Sequence, residues 1–382
     1  MPKSTPPRFK LQSFRLRNFK AVRDSGVVRF QPFTLLIGNN GSGKSSLVEG
    51  LQAYWDSVRK TAATALQRWY GFEHVYSHRA PAPTAEKPAK IGFVLKGRLG
   101  KGAFSSDLDL AAPAHMDFVV RAYDKWQITG QKPVISTWEP SLEKMMMDED
   151  AALGFSRNAS PSGNSFSVSG VRWQFLDLAP RAMGQPRPRS RDPEQVAMTE
   201  DGANLAEIVL QLRERSPDTL QGVIETVAGI LGYGRDLQPV ASSAVERTLH
   251  LKLVEGDFEV PGWLLSSGTL RLVALLCLLR DPSPPSLIVI EELENGLDPR
   301  TVALVIDEIR RAVETERTQV IATTHSPYLL DLVRLEHLLL VQRNAKGEPE
   351  FIRPADDQEV VAWAEKFAPG QLYKMSRLRP DA

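Results

Sequence analysis

The chain has 382 residues, 42% of them hydrophobic, with 47 Lys+Arg against 46 Asp+Glu and a net charge of +1. That length suits about two or three folded units, and the balanced charge excludes a globally basic nucleic-acid binder, leaving only a local patch. Cys277 is the only cysteine, which excludes an internal disulfide and a thiolate zinc cluster.

In chain order, Phe9, Leu11, Phe14 and Leu16 have the spacing of pleated positions, and Gly26–Phe30 is a second candidate strand. Pro32–Ile37 is a short continuous apolar run, as in a buried parallel strand. A helix pattern follows Lys44, with Leu47, Leu51, Tyr54, Trp55 and Val58 on one stripe. Ala80–Pro83 reads as a linker, and strands are expected at Ile91–Leu95, Met116–Ala122, Val134–Trp138 and Val171–Leu178. Glu149–Asn164 is polar and reads as loop. Pro180–Pro193 is rich in proline and carries Arg181, Arg187, Arg189 and Arg191, so it marks a boundary. Helices are expected at Asn204–Arg215 and Thr219–Leu231, and strands at Asp236–Val240 and Arg247–Val254. The last third alternates: helix Gly268–Leu279, strand Leu287–Ile290, helix Arg300–Glu314, strand Thr318–Thr323, a short helix after Pro327 and strand Leu338–Val341. This alternation predicts an α/β fold with a parallel sheet. Residues 1–20 show no signal-peptide core, and the longest apolar run, Leu272–Leu279, is too short to span a bilayer. A cytoplasmic protein without membrane contact is the expectation.

Four segments carry chemistry. Gly38-Asn39-Asn40-Gly41-Ser42-Gly43-Lys44-Ser45, followed by Ser46, lies between a strand and a helix. Its glycines let backbone N–H groups turn toward phosphate oxygens, Lys44 adds a point charge, and Ser45 offers a hydroxyl to Mg2+. ATP with Mg2+ is the expected ligand. The strand Leu287–Ile290 ends in Glu291 and Glu292. A carboxylate at such a tip can hold Mg2+, a role that suits Glu291, and a second can orient or deprotonate water, a role that suits Glu292. Leu265–Thr269 opens a helix, where Ser266 and Gly268 form either an anion-binding start or a simple N-cap. Read alone, the cap is the better account. His325 follows a strand and can contact a γ-phosphate, although a lone histidine is more often structural.

In this order the motifs resemble the ABC-type ATPase head of the SMC/RecF superfamily. Leu16–Val22 resembles its N-terminal strand motif, Gly38–Ser45 its Walker A, and Leu265–Thr269 its signature, with Thr269 where transporters usually have glutamine. Ile288–Pro299 resembles Walker B with the D-loop, and Thr323–Pro327 the histidine switch. The match is nearest to stand-alone bacterial AAA-family ATPases related to the ATPase part of overcoming-lysogenisation-defect nucleases, many of which serve phage defence. The resemblance implies a P-loop NTPase head with a mixed sheet, an antiparallel β subdomain and a small helical lid insert. It implies an N-terminal ATPase lobe at 1–178, a linker, lid and return strands at 179–260, and a C-terminal lobe at 261–382. It further implies that Glu292 is the catalytic base and that Ser266 and Gly268 contact the γ-phosphate held by a second subunit. Asp298 then lies at the dimer seam, and His325 senses the γ-phosphate.

The implied partners are a second copy around ATP, or a higher oligomer, with a separate effector nuclease or toxin and DNA. A RecF-like repair ATPase without an effector is the alternative. A transporter subunit is disfavoured by Thr269 and by the insert of about 220 residues between Lys44 and Ser266. A small-molecule P-loop kinase needs neither the Leu265–Thr269 segment nor the Glu291–Glu292 pair. The arginines at 181–191 are either a DNA-binding loop or a solvated linker.

Overall fold

The computed structural model describes residues 8–84, 87–112, 119–137, 171–190, 196–241 and 248–379. The chain opens with β1 (Phe9–Phe19), β2 (Val22–Asp24), β3 (Val28–Arg29), β4 (Phe33–Ile37) and α1 (Lys44–Arg59). Helices α2 (Ala62–Leu66) and α3 (Phe72–Val75) precede β5 (Ala89–Leu99), β6 (Gly102–Ala112), β7 (Val120–Ile128) and β8 (Val134–Thr137). Next come β9 (Trp173–Leu176), α4 (Pro180–Met183), β10 (Arg187–Pro188), α5 (Leu205–Arg215) and α6 (Pro217–Leu231). Strands β11 (Asp236–Ala241), β12 (Thr248–Glu255) and β13 (Phe258–Pro261) lead to α7 (Ser267–Arg280) and β14 (Leu287–Ile290). The remainder is α8 (Pro299–Glu314), β15 (Gln319–Thr324), α9 (Pro327–Asp331), β16 (Leu338–Arg343), β17 (Pro349–Ile352), α10 (Gln358–Ala364) and α11 (Pro369–Lys374).

These elements form two compact units. The first comprises the described parts of 1–30, 38–172 and 341–352; the second comprises 31–37, 173–340 and the described part of 353–382. The cuts differ from the expected 178/179 and 260/261. The physical reason is strand β4, which pairs in parallel with both β15 and β16 and so joins a sheet built mostly from the last third.

In the first unit an antiparallel sheet runs β2-β1-β5-β6-β7-β8, with β3 also on β1. Its inward positions alternate along the strands, as a half-buried sheet requires. Helix α1 packs on that inner face. Phe14, Tyr54 and Phe93 meet with centroids 6.2–6.3 Å apart. Gly50 lets the helix close on Leu16, since a Cβ there would lie 2.4 Å from a Leu16 methyl.

In the second unit the parallel sheet runs β16-β4-β15-β14-β9. Strands β4, β15 and β14, with β9 at the end of the order, are buried along their whole length, which explains their apolar runs. Helix α7 is buried from Thr269 to Leu279 and, apart from Thr269 and Arg271, apolar all round, as a core helix is. Cys277 is fully enclosed there, and burial pushes its thiol up to about 12, so it is inert. The helical insert is α5 with α6, and these pack on α7 and on the small sheet β10-β12-β11.

Several expectations need correction. Strand β6 was not expected from the sequence. The expected strand at Met116 is described only from Val120, and Glu149–Asn164, Arg191, Pro193, Trp138 and Arg247 lie outside the described residues. The stretch from Pro180 is not plain linker: it holds α4, and Arg187 pairs with Leu249 of β12.

Arg280 at the end of α7 donates to both carboxylate oxygens of Glu308, at 3.0 and 2.7 Å, and to the Gly222 carbonyl at 2.7 Å. Burial alone would raise the Glu308 carboxyl, but the hydrogen bond and charge of Arg280 outweigh it and hold the group below its ordinary 4.5. With a lowered folded pKa, this contribution is present above the unfolded value and is lost as pH falls through the folded one. Arg280→Ala leaves Glu308 buried without its main partner. It is expected to cost about 3–5 kcal/mol in urea unfolding at pH 7, and less at pH 4. An equal loss at both values would show that the pair does not carry the effect.

Candidate functional site

Three loops leave the same edge of the parallel sheet. Ile37 is paired with Thr324, Ala322 with Ile290, and Ile290 with Leu176. Gly38, His325 and Glu291 are the next residues along their chains. The carboxyl edge of such a sheet is where open α/β folds bind ligands.

The loop Gly38–Ser45 belongs to the first unit. Gly41 and Gly43 have φ of 73° and 115°, a backbone that favours glycine. A Cβ on Gly38 would lie 2.0 Å from the Val341 carbonyl oxygen, so this position admits glycine alone without a shift. The hairpin after Val341 also holds the loop: Arg343 donates to the Gly41 carbonyl at 2.9 Å and to the Gly347 carbonyl at 2.6 Å. Lys44 is buried, and its ammonium donates to the Gly38 and Asn39 carbonyls at 2.6 and 3.2 Å. Helix α1 has no acidic residue in its first turn and no side-chain cap, so its positive end is not neutralised locally.

These residues fit a triphosphate. The Ser42 hydroxyl is buried without a hydrogen-bond partner, an unsatisfied group that a phosphate oxygen would satisfy. Among the described residues no group of three or more His, Cys, Asp or Glu could hold a metal. A Mg2+ ion here would therefore rely on phosphate oxygens and water besides one or two protein oxygens, which is its usual mode.

A separate group of residues, around Glu291, Glu292 and His325, belongs to the second unit. Glu291 donates its backbone N–H to the Leu176 carbonyl at 2.8 Å, extending β14 by one bond. Glu292 is exposed and has φ 47°, a left-handed backbone that is unusual for a glutamate. Its N–H donates to Thr323 Oγ1 at 2.9 Å, and its carbonyl accepts from Arg271 at 3.1 Å. Asn295 Nδ2 donates to its carboxylate at 3.2 Å. The N–H of His325 donates to Glu294 Oε1 at 2.8 Å, while Glu294 Oε2 is buried without a partner.

The Leu265–Thr269 segment is a helix cap. Ser266 is the N-cap of α7, and its hydroxyl accepts from the Thr269 N–H at 3.1 Å. Gly268 stands where a Cβ would lie 2.6 Å from the Gly296 carbonyl oxygen, so close packing requires glycine there. Asp298 caps α8 by accepting from the N–H groups of Arg300 and Thr301. The Thr301 hydroxyl, first, and those N–H bonds hold its carboxyl below the ordinary 3.8.

Sequence reasoning missed Arg271, Glu294, Thr323 and Arg343. Arg271 had a signal, being the lone charge in the apolar run from Leu270 to Leu279. It is 4% exposed, and its guanidinium also donates to the Asn295 and Leu178 carbonyls at 3.0 and 2.7 Å. Burial lowers its pKa against the opposing charges of Asp177, Glu292 and Glu294.

Residues 10–63 match the family described as "AAA ATPase domain", and residues 151–331 match "AAA domain, putative AbiEii toxin, Type IV TA system". The fold is similar to an SMC head solved with the C-winged helix domain of ScpA, with TM-score 0.50 and 13% identity over 90% of this chain and 97% of that one. It is also similar to an SMC head with an extended coiled coil bound to the C-terminal domain of ScpA derived from Pyrococcus furiosus. There the TM-score is 0.53 and the identity 13%, over 94% of this chain and 100% of that one. In fold the chain is similar to an SMC head, and both matched stretches belong to families described as AAA domains. Among curated proteins, 74 residues are 36% identical to Pleiotropic drug resistance protein 1 of Petunia axillaris and of Petunia hybrida. That match takes in 19% of this chain and 5% of either relative. Among the described residues no helix is long and apolar enough to cross a membrane.

Arg271→Met keeps most of the volume but leaves three carbonyls without their donor. ATP turnover is expected to fall at least tenfold while ATP affinity stays within about twofold, because the phosphate loop is untouched. Unchanged turnover would show that the Glu292 backbone does not need this anchor.

Proposed function

We propose that the chain binds ATP with Mg2+ and hydrolyses it, and that two copies close around ATP to control a separate effector or to act on DNA. The observation that carries the catalytic part is the left-handed backbone of Glu292, held from both sides by Thr323 and Arg271. Strain of this kind concentrates at active sites, where it aims a side chain.

In this reading Asn39, Asn40, Gly41, Ser42, Gly43, Lys44, Ser45 and Ser46 cradle the phosphates. Ser45 and Glu291 hold Mg2+, which supplies charge neutralisation at the transferring phosphoryl group. Glu292 accepts a proton from water as the water oxygen bonds to the γ-phosphorus. The bond from that phosphorus to the bridging oxygen breaks, and ADP leaves. His325, held by Glu294, contacts the γ-phosphate. The Ser266–Thr269 pair at 2.8 Å allows either hydroxyl to donate. With Thr269 donating, Ser266 keeps its own proton for a phosphate oxygen of a second copy, so capping and phosphate contact are compatible. Asp298 and Gly268 then border the shared interface.

The effector arm is supported by the family matched at 151–331, whose description names a putative toxin. A role in anti-phage defence, in the cytoplasm, is the biological reading that follows.

Glu292→Gln is expected to retain ATP binding, to lower turnover at least a hundredfold, and to accumulate ATP-dependent dimers in size-exclusion chromatography with light scattering. Turnover at the wild-type rate would refute the base assignment. Ser266→Asn separates the two roles of Ser266, because asparagine caps helices as well as serine does. Turnover is expected to fall with thermal stability unchanged. Retained turnover would leave Ser266 as a cap only.

A further inference from the structure

The glycines of the loop Gly38–Ser45 are not held alike. A Cβ on Gly38 would meet the Val341 carbonyl oxygen at 2.0 Å, and one on Gly43 would meet Pro349 at 2.8 Å, so close packing wedges both. Around Gly41 a Cβ would meet nothing within 4 Å. With φ 73° and open space beside it, Gly41 begins a peptide that packing leaves free to turn.

That peptide, from Gly41 to Ser42, has a hydrogen bond at each end. The Ser42 N–H donates to the Asn39 carbonyl at 3.2 Å. The Lys44 ammonium donates to the same carbonyl, also at 3.2 Å, so this end lies on the inner side of the loop. The Gly41 carbonyl accepts from Arg343 Nε at 2.9 Å. A planar trans peptide sends its carbonyl and its N–H in opposite directions. Arg343 therefore decides which of the two faces inward, and an anion-binding loop needs the N–H there. A half-turn of this peptide would present a carbonyl oxygen to a phosphate, with partial negative charge against negative. A phosphate oxygen entering the loop competes with Asn39 for the Ser42 N–H. The bond from Arg343 is then what keeps the peptide from turning.

Arg343 can serve in this way because its own position is fixed. It ends β16, and its Nη1 donates to the Gly347 carbonyl at 2.6 Å across the hairpin turn. Asn344 closes that turn, its Oδ1 accepting from the N–H groups of Lys346 and Glu348 at 2.9 and 3.0 Å. Arg79 donates to the Lys346 carbonyl at 2.9 Å, and Arg23 of β2 lies 3.6 Å from Glu348. All of these residues belong to the first unit. Arg343 is exposed, so water and salt screen its charge, and its geometry is the larger part of what it supplies.

We propose that Arg343 is a positioning residue for ATP. By holding the Gly41 carbonyl outward it keeps the Ser42 N–H available to the phosphates, and so sets nucleotide affinity rather than the hydrolytic step. The inference rests on the reading that this loop binds ATP, and not on the roles given to Glu292 or Ser266.

The test compares the full-length wild type with Arg343→Met and Arg343→Lys. Each is titrated calorimetrically with a non-hydrolysable ATP analogue and Mg2+, and each is followed by amide hydrogen exchange without nucleotide. Arg343→Met should bind the analogue about tenfold more weakly, the loss expected for one charge-assisted hydrogen bond. In turnover assays that loss should appear in KM rather than in kcat. Arg343→Lys keeps a donor for the Gly41 carbonyl and should recover most of the affinity. Without nucleotide, Arg343→Met should speed exchange at the Ser42 amide while the amides of α1 keep wild-type protection. A loss of affinity that disappears at about 500 mM salt overturns positioning in favour of long-range charge. Binding by the wild type with equal affinity and equal exchange in Arg343→Met overturns this inference alone. Failure of the wild type to bind the analogue overturns the ATP reading and this inference with it.

Discussion

The second unit depends on one buried cation. Arg271 stands on the second turn of the signature helix with 4% of its surface exposed, and it gives its guanidinium to the carbonyls of Leu178, Glu292 and Asn295. A buried charge left without partners costs several kcal/mol, so the loops after β9 and β14 cannot move away from α7 without exposing that cost. The loop that carries Glu292 is therefore held to the helix that carries Ser266 and Gly268. Any displacement of Ser266 and Gly268 along the helix axis is felt at Glu292 through a single side chain. A two-state device needs a rigid element of this sort to pass a bias from one end to the other.

The first unit answers a different constraint, close approach of backbones. The phosphate loop can take its shape because Gly38 lets the Val341 carbonyl in, while Gly43 lies against Pro349. Helix α1 is then fixed by aromatic contacts of Tyr54 with Phe14 and Phe93 on the sheet below. The hairpin after Val341 is some three hundred residues distant in sequence from the loop it supports. A loop made only of local preferences would be a Gly-rich turn; the packed glycines and Arg343 hold it in one conformation.

How far all this could be read from the sequence depends on the range of the interaction. The strands that end before Gly38, Glu291 and His325 and the helix from Lys44 were legible because strand, loop and helix are contiguous, and their apolar runs mark a sheet buried on both faces. The helix pair α5 and α6 was legible from its periodicity. Strand β6 was not: Asp107 and Asp109 lower its strand propensity, although Phe104, Leu108 and Leu110 keep the alternation. The division into units was not legible either, because β4 joins a sheet whose other strands come much later. Arg271, Glu294 and Arg343 act through partners far away or through backbone carbonyls, and neither leaves a spacing pattern.

The motif residues themselves divide by whether the fold already accounts for them. Ser266 caps α7, Asp298 caps α8, and Gly268 admits the Gly296 carbonyl. Each would be selected by local stability alone, so their identity adds little to a functional argument. Glu292 is different. Its left-handed backbone would be held at lower cost by glycine or asparagine, and its side chain is exposed with one bond, from Asn295. Nothing in the packing asks for a carboxylate there. A residue that is locally unfavourable, fixed by Thr323 and Arg271 on both peptide bonds, and aimed outward from the tip of a buried parallel strand is where stability and chemistry part. That conflict, more than the presence of any motif, is what supports the proposed hydrolytic role.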